Sequence, residues 1–336
     1  MKRFLPLALI GSLLAFFLLT DSQSWAATVA AKSKVCPIGY FPDLSKSVGA
    51  GGSYAKPSIS VSCTSSELKV TSNGMISFAY DPKTPNGLSA QEWSWAVPLN
   101  PAKAKTVTSI NTLMGTLGFT VSGLPIYGPT EGPVPQDSAY GDPVYNKLVD
   151  ICGGHTGYKS DYHHHEITMV QQCNLSKQTI LGYALDGFPI YSTLGCLDTK
   201  CKKTAIMKSG YIKTGNPKTN TWSAYTYKKS TSSTVLDSCN GRKQPDGTYG
   251  YHATTAFPYL IGCFTGTAAI TSGRAAEPMP PMGGQPQPGG PPPKDGQPQP
   301  GGPPPKDGPP LPGGPPPKDG QPQPGGPPPK DGPPKP

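Results

Sequence analysis

The sequence predicts a mainly β fold, in which one disulfide-bonded, internally duplicated domain with long loops is followed by a disordered C-terminal tail. Three observations predict it. Short β-prone runs separated by glycine, proline and asparagine recur along the chain, while long helical periodicity is hard to find. Two histidine-containing segments repeat in the same order, and a proline- and glycine-rich repeat follows them.

The β-prone runs lie in a stretch of about 250 residues, which is long enough to bury a substantial core. A short helix is predicted near residues 143–151. We predict strands at residues 59–62, 69–71, 75–80, 118–121, 211–214 and 221–227.

The N-terminus has the features of a secretory signal peptide. Met1-Lys2-Arg3 precedes an apolar run, and Ser24-Trp25-Ala26 places small residues before a cleavage point. We predict cleavage after Ala26, with an uncleaved N-terminal anchor as the alternative. No later stretch is apolar enough to cross a bilayer, so we expect a mature chain without a transmembrane segment, secreted or in the cell envelope.

The eight cysteines predict disulfides, because an even number in an exported chain is typical of a disulfide set. Free thiols or thiolate metal ligands are the alternative. We predict pairing between neighbours in the sequence: Cys36–Cys63, Cys152–Cys173, Cys196–Cys201 and Cys239–Cys263.

The net charge of +9 is spread along the chain. The signal peptide and the tail carry +1 each, and residues 27–282 carry +7 without a run of like charge. Such a surface favours weak binding to cell wall or anionic polymer. Nucleic acid is not an expected partner, because no motif that reads bases accompanies the charge.

The tail is the clearest boundary in the chain. The unit GGPPPKDG recurs every 12 residues from Gly289. Proline removes backbone donors and almost nothing apolar is available to bury, so disorder is expected. The predicted segments are a signal peptide (1–26), an N-terminal β-rich region (27–109), a duplicated domain (110–267) and the disordered tail (268–336).

Three elements occur twice in the folded region. The segment 123–127 returns as 187–191, and the segment 150–155 returns as 237–242. The third element is Tyr162-His-His-His165, answered by Tyr249-Gly-Tyr-His252. Both halves separate the second and third elements by the same spacing, which predicts an internal duplication. In the second half Arg242 stands where the first has His155.

These motifs resemble the YHYH-domain family. The resemblance rests on Asp150-x-Cys-x-Gly-His155, on the tetrapeptide ending at His165, on the run Gly182–Tyr191, and on the stretch Leu236–Gly266. It covers about residues 110–267 and implies an exported protein, without implying a reaction. The chain departs from the pattern in both tetrapeptides.

The histidines predict a transition-metal site. Residues two apart on a strand share a face, so His163 and His165 project together, and imidazole donors suit copper or zinc. We predict the ligands His155, His163, His165 and His252, with His164 as a weaker candidate. Packed, hydrogen-bonded histidines without a metal are the alternative.

Several charged residues are expected around this site. Asp150 and Asp237 are predicted to orient imidazoles, Asp186 to line the cleft, and Arg242 to neutralise Asp237 or bind an anionic group. Glu166 is a further cleft candidate.

The function predicted from these features is an exported protein that holds copper or zinc. The alternatives are a metal-dependent hydrolase or oxidase with an open coordination position, and a non-catalytic surface or matrix interaction module.

Overall fold

The computed structural model describes residues 35–133, 139–173, 175, 179–268 and 277–278. The predicted signal peptide and almost all of the predicted tail lie outside them. Over the described residues the protein is mainly β, with no α-helix and with 3-10 turns at Ile38–Tyr40, Gln171–Cys173 and Trp222–Ala224. No described helix has the length and apolar character needed to span a membrane.

The strands are short and numerous, as the punctuation of the sequence predicts. In chain order they are β1 (Ile59–Cys63), β2 (Glu67–Ser72), β3 (Trp93–Pro98), β4 (Lys103–Ser109), β5 (Leu113–Met114), β6 (Gly118–Thr120), β7 (Pro125–Ile126), β8 (Gly154–Thr156), β9 (Tyr162–His164), β10 (Ile180–Ala184), β11 (Pro189–Tyr191), β12 (Leu194–Cys196), β13 (Thr204–Ile206), β14 (Tyr211–Lys213), β15 (Tyr225–Tyr227), β16 (Gly241–Lys243), β17 (Tyr249–His252), β18 (Cys263–Gly266) and β19 (Glu277–Pro278).

Two sheets form the body of the fold. The first has the order β1-β2-β3, and the second has eight strands in the order β16-β17-β11-β10-β6-β7-β9-β8. Pairs β12-β13, β14-β15, β18-β4 and β19-β5 lie outside them. On β2, Leu68 and Val70 are buried while Lys69 and Thr71 are exposed, which is the alternation of a strand with one face on the core.

A row of stacked aromatic rings joins the two sheets. Trp95 on β3 lies 4.9 Å from Phe119 on β6, measured between ring centroids, and stacks on Trp93 at 5.6 Å. Phe119 in turn lies 6.1 Å from Tyr183 on β10. Large aromatic surfaces dominate core energetics, so this row places the centre of the main core between the sheets.

The eight-stranded sheet has the same order on either side of its centre. Outward from β6 stand β7, β9 and β8, and outward from β10 stand β11, β17 and β16. β7 pairs in parallel with β9, and β11 pairs in parallel with β17. Duplication is our proposal for the origin of this correspondence.

Four disulfides link the described residues, and they confirm the pairing predicted from the sequence. The bonds are Cys36–Cys63, Cys152–Cys173, Cys196–Cys201 and Cys239–Cys263. Every cysteine is therefore bonded to another cysteine, and thiolate metal ligands are excluded.

Two predicted elements are wrong, and the strand predicted over 221–227 exists only as Tyr225–Tyr227, after the 3-10 helix Trp222–Ala224. Residues 75–80 are largely buried but belong to no strand, because the segment packs as a loop whose Tyr80 N–H donates to the Ala50 carbonyl. The helix near residues 143–151 is a set of turns. Asp142 accepts the N–H groups of Val144 and Tyr145, and Lys147 adopts φ +59°, which no helix continues through.

The centre of the large sheet depends on a glycine. A Cβ at Gly182 would lie 2.3 Å from the Phe119 carbonyl oxygen on β6, whereas one at exposed Gly87 would meet nothing within 4 Å. We expect Gly182→Ala to lower the free energy of unfolding by about 1–3 kcal/mol or more through overpacking, and Gly87→Ala to change it by about 0.5 kcal/mol or less. Urea unfolding of both variants measures this, and equal effects would contradict it.

Candidate metal centre

Three of the five histidines meet on the β8–β9 hairpin. His155 on β8 pairs with His163 on β9, and His165 follows two residues later, as the alternation of an extended chain predicts. All three residues are buried, with 3%, 4% and 1% of their surfaces exposed. One ligand atom from each lies within 4.8 Å of those of the other two.

The ring nitrogens named Nε2 point at one another. His163 Nε2 lies 3.1 Å from His165 Nε2, and His165 Nε2 lies 3.2 Å from His155 Nε2. Nitrogens bound to one metal at about 2.0–2.1 Å are necessarily about 3 Å apart. The spacing therefore fits three ligands of one ion.

The other ring nitrogen, Nδ1, faces an acceptor in each histidine. His155 Nδ1 lies 2.8 Å from the Leu148 carbonyl oxygen, and His165 Nδ1 lies 2.6 Å from that of Gly128. His163 Nδ1 lies 3.3 Å from the Asp161 carbonyl oxygen. Because a carbonyl oxygen only accepts, a proton on each Nδ1 satisfies these contacts and leaves each Nε2 with a lone pair for a metal.

Burial keeps the imidazoles of His155 and His165 neutral. Desolvation, together with the nearby His163, lowers the pKa of His155 to about 3. Desolvation also holds the pKa of His165 well below its usual value. The neutral ring is the form that binds metal, and three lone pairs directed at one point repel one another unless a cation lies between them.

A carboxylate that the sequence analysis missed lies beside the group. Glu131 Oε2 is 3.4 Å from His155 Nε2, while its other oxygen accepts the N–H of Gly132 at 2.7 Å. Burial raises the pKa of Glu131 against this hydrogen bond. Among the described residues, Glu131 is the one carboxylate within 4.0 Å of a histidine Nε2. The group whose ligand atoms all lie within 4.8 Å of one another is the three histidines without Glu131.

Tyr127 and Asp161 position His163. The Tyr127 ring stacks on the His163 ring with centroids 3.9 Å apart, and its hydroxyl donates to Asp161 Oδ2 at 2.9 Å. That same oxygen lies 3.6 Å from His163 Nδ1. Burial alone would raise the pKa of Asp161, but its contact with His163 and the tyrosine hydroxyl hold that pKa below its usual value. Such partners fix the tautomer and orientation of metal ligands.

Comparison with protein families matches residues 94–266, half of the chain, to the family described as YHYH protein. This chain belongs to the YHYH family. The match begins before residue 110, where the sequence analysis places the domain, and takes in all of the strand β3 except its first residue, Trp93. No curated protein and no solved structure matched the chain.

The fourth predicted ligand, His252, lies in the second tetrapeptide segment of this YHYH domain and outside the three-histidine group. Its Nδ1–H donates to the Ser192 carbonyl at 2.7 Å, and its Nε2 lies 3.0 Å from the amide nitrogen of Gln244, which donates to it. Because that lone pair is already engaged, His252 is placed as a packed, hydrogen-bonded histidine.

The predicted roles of Asp150 and Asp237 need correction. Neither carboxylate has an imidazole as its hydrogen-bond partner. Asp150 accepts from the Tyr162 hydroxyl at 2.9 Å and from two backbone N–H groups, and Asp237 accepts from the Tyr249 hydroxyl in the same way. The groups that do orient the imidazoles are main-chain carbonyls and Asp161.

The remaining candidates also lie apart from the histidine group. Asp186 accepts from the Tyr251 hydroxyl at 2.6 Å and shapes a turn. Arg242 donates to the Cys196 carbonyl at 3.0 Å, and no ion pair with Asp237 forms between these described residues. His164 points away, towards the Cys152 carbonyl. Burial raises the pKa of Glu166 to about 6, and it is not in the group either.

Sequence signals for the missed residues differ. Asp161 is two residues before His163, so the alternation that pairs His163 with His165 extends to it. Glu131 lies in a loop, four residues after Tyr127, with no counterpart in the second half. Only the tertiary fold reveals it.

The burial of His252 predicts how the stability of the fold depends on pH. Folding lowers the pKa of His252 from 6.5 to about 4. As the pH falls, the unfolded chain therefore becomes protonated at His252 at a higher pH than the folded chain does. The stability from this difference is complete above pH 6.5 and is lost as the pH falls towards 4. Between pH 7 and pH 4.5 we expect a loss of about 2–3 kcal/mol from this residue.

Urea unfolding at pH 7 and at pH 4.5 measures this loss of stability. The difference between the two pH values should shrink by that amount in His252→Gln, whatever the absolute stability of the variant. An unchanged difference would contradict the assignment of a buried, neutral His252.

Proposed function

We propose that this protein is an exported metal-binding protein that holds a transition metal, copper or zinc, through His155, His163 and His165. One observation carries the proposal: three Nε2 lone pairs converge, with neighbouring nitrogens 3.1 and 3.2 Å apart, while each Nδ1 is directed to an acceptor. Imidazole is a preferred donor for both metals.

Export is supported by the disulfides. All eight cysteines are paired among the described residues, and such bonds persist in oxidising compartments outside the cytosol. A protein there meets metal ions without the thiol buffers of the cytosol.

A metal-dependent hydrolase or oxidase is the second candidate. The observation that favours it is the number of histidines: three converge and the fourth predicted ligand is engaged by Gln244. Catalytic zinc sites keep three protein ligands and a position for water, whereas structural sites are closed by four.

Elemental analysis of the purified, tag-free exported protein tests the metal proposal. We expect close to one equivalent of a transition metal in wild type and loss of most of it in His163→Ala/His165→Ala, since two of three ligands are removed. His252→Gln is the matched control, because it removes a buried histidine outside the group. Equal, substoichiometric metal in all three proteins would end the proposal.

An anionic polymer of the cell envelope is a proposed partner for a different part of the molecule. Residues 196–243 contain nine lysines and Arg242 against two acidic residues, Asp198 and Asp237, so they hold essentially all of the positive charge of the folded region. All nine lysines are exposed, and none forms an ion pair with another described residue. The exposed positive charge of the folded region is thus concentrated in one segment of the sequence, and this supports the proposal.

Binding to immobilised polygalacturonate tests the polymer proposal. Lys200→Gln/Lys202→Gln/Lys203→Gln should elute at a lower salt concentration than wild type, because the variant has three fewer positive charges to pair with the carboxylates of the polymer. Lys46→Gln/Lys105→Gln/Lys159→Gln removes equal charge from exposed positions elsewhere and should elute close to wild type. Equal shifts in the two variants would show that net charge alone is at work.

A further inference from the structure

The Glu131 carboxylate is only partly compensated by hydrogen bonds. It is buried, with 13% of its side chain exposed, and its Oε2 has no hydrogen-bond donor among the described residues. That oxygen lies 3.4 Å from His155 Nε2, which presents a lone pair of its own. Burying an anion without a partner costs several kcal/mol.

No described cation relieves this cost. Within 4.0 Å of Glu131 stands no described lysine or arginine, and the contact with His155 involves a ring whose Nδ1 proton is donated to Leu148. The carboxylate and the three imidazoles thus direct lone pairs at a region that no described lysine or arginine enters.

The types of donor atom in the site indicate which metal ions it suits. Three imidazole nitrogens and one carboxylate oxygen contain no sulfur, and every cysteine is held in a disulfide. Soft sulfur donors select monovalent copper, whereas imidazole and carboxylate together suit divalent ions such as zinc, divalent copper, iron and nickel. An anionic ligand also attracts a divalent ion twice as strongly as a monovalent one at the same distance.

We infer that Glu131 is the oxygen ligand that completes the site of His155, His163 and His165, and that its negative charge makes the site select a divalent cation over monovalent copper. The inference rests on the proposed metal binding and adds to it a ligand and a charge preference. Glu131→Gln is the sharpest change, because it removes the charge and keeps the shape and one oxygen.

The experiment measures the affinity of the metal-free protein for Zn²⁺ and, under anaerobic reducing conditions with a chelator as competitor, for Cu⁺. In Glu131→Gln the Zn²⁺ affinity should fall at least about 10-fold, while the Cu⁺ affinity should change by less than about 3-fold. Glu166→Gln is the matched control: it neutralises a carboxylate that follows His165 in the sequence but lies within 4.0 Å of no described histidine nitrogen, and both affinities should stay near wild type.

The outcomes separate the two proposals. A wild type that binds neither ion ends the metal proposal itself. A wild type that binds Zn²⁺ with an unchanged Glu131→Gln affinity, or an equal fall for both ions, overturns the role of Glu131 and leaves the three-histidine site. If Glu131→Gln does not fold, Glu131→Asp keeps the charge and shortens the reach, and wild-type Zn²⁺ affinity in that variant would overturn direct ligation.

Discussion

The Asp150 carboxylate holds the hairpin on which the site is built. It accepts the N–H groups of Cys152 at 2.8 Å and Gly154 at 3.2 Å, and with both oxygens it accepts the Tyr162 hydroxyl at 2.9 Å. Gly154 begins β8 and Tyr162 begins β9, so one buried carboxylate fixes the relative position of the two strands. Charge-assisted hydrogen bonds of this kind are the strong ones.

The disulfide Cys152–Cys173 adds a second tie at the same place. With the start of each strand fixed, β8 presents His155 and β9 presents His163 in register. Main-chain carbonyls then orient the rings of His155 and His165. The site is therefore a consequence of backbone geometry more than of side-chain packing.

The second half of the sheet repeats this scaffold without the site. Asp237 accepts the Tyr249 hydroxyl, and His252 donates to Ser192 as His165 donates to Gly128. Gly250 stands in place of a histidine, and a Cβ there would lie 2.4 Å from the Tyr191 ring. A few side chains decide which half can hold a metal.

Local pattern predicted much of this. Pairing each cysteine with its neighbour in the sequence predicted the four disulfides. The alternation of side chains along a strand predicted that His163 and His165 share a face. The spacing of the repeats led to the correspondence of Asp150 with Asp237. Spacing does not show, however, whether such an aspartate accepts a hydrogen bond from a tyrosine or from an imidazole. Both roles need only a buried carboxylate near a polar ring.

The predictions that failed were those about which residues lie close together in the folded protein. His252 belongs to a matched motif, but the eight-stranded sheet places β17 and β9 on opposite sides of the central pair β6 and β10. The proposed four-histidine set would have needed the two halves to face each other, and they lie side by side in one sheet. Glu131, by contrast, comes to the site from a loop that no periodicity marks.

The rigidity of this scaffold determines how a metal would bind. In small zinc domains the ligands gather only when the ion binds, so binding energy is spent on folding. Here the rings of His155 and His165 are already oriented by carbonyls at 2.8 and 2.6 Å, on strands tied by a disulfide and a carboxylate. A site prepared in this way loses little conformational entropy on binding. The repulsion between its lone pairs is a cost of the metal-free state, which the fold sustains and which a cation would relieve.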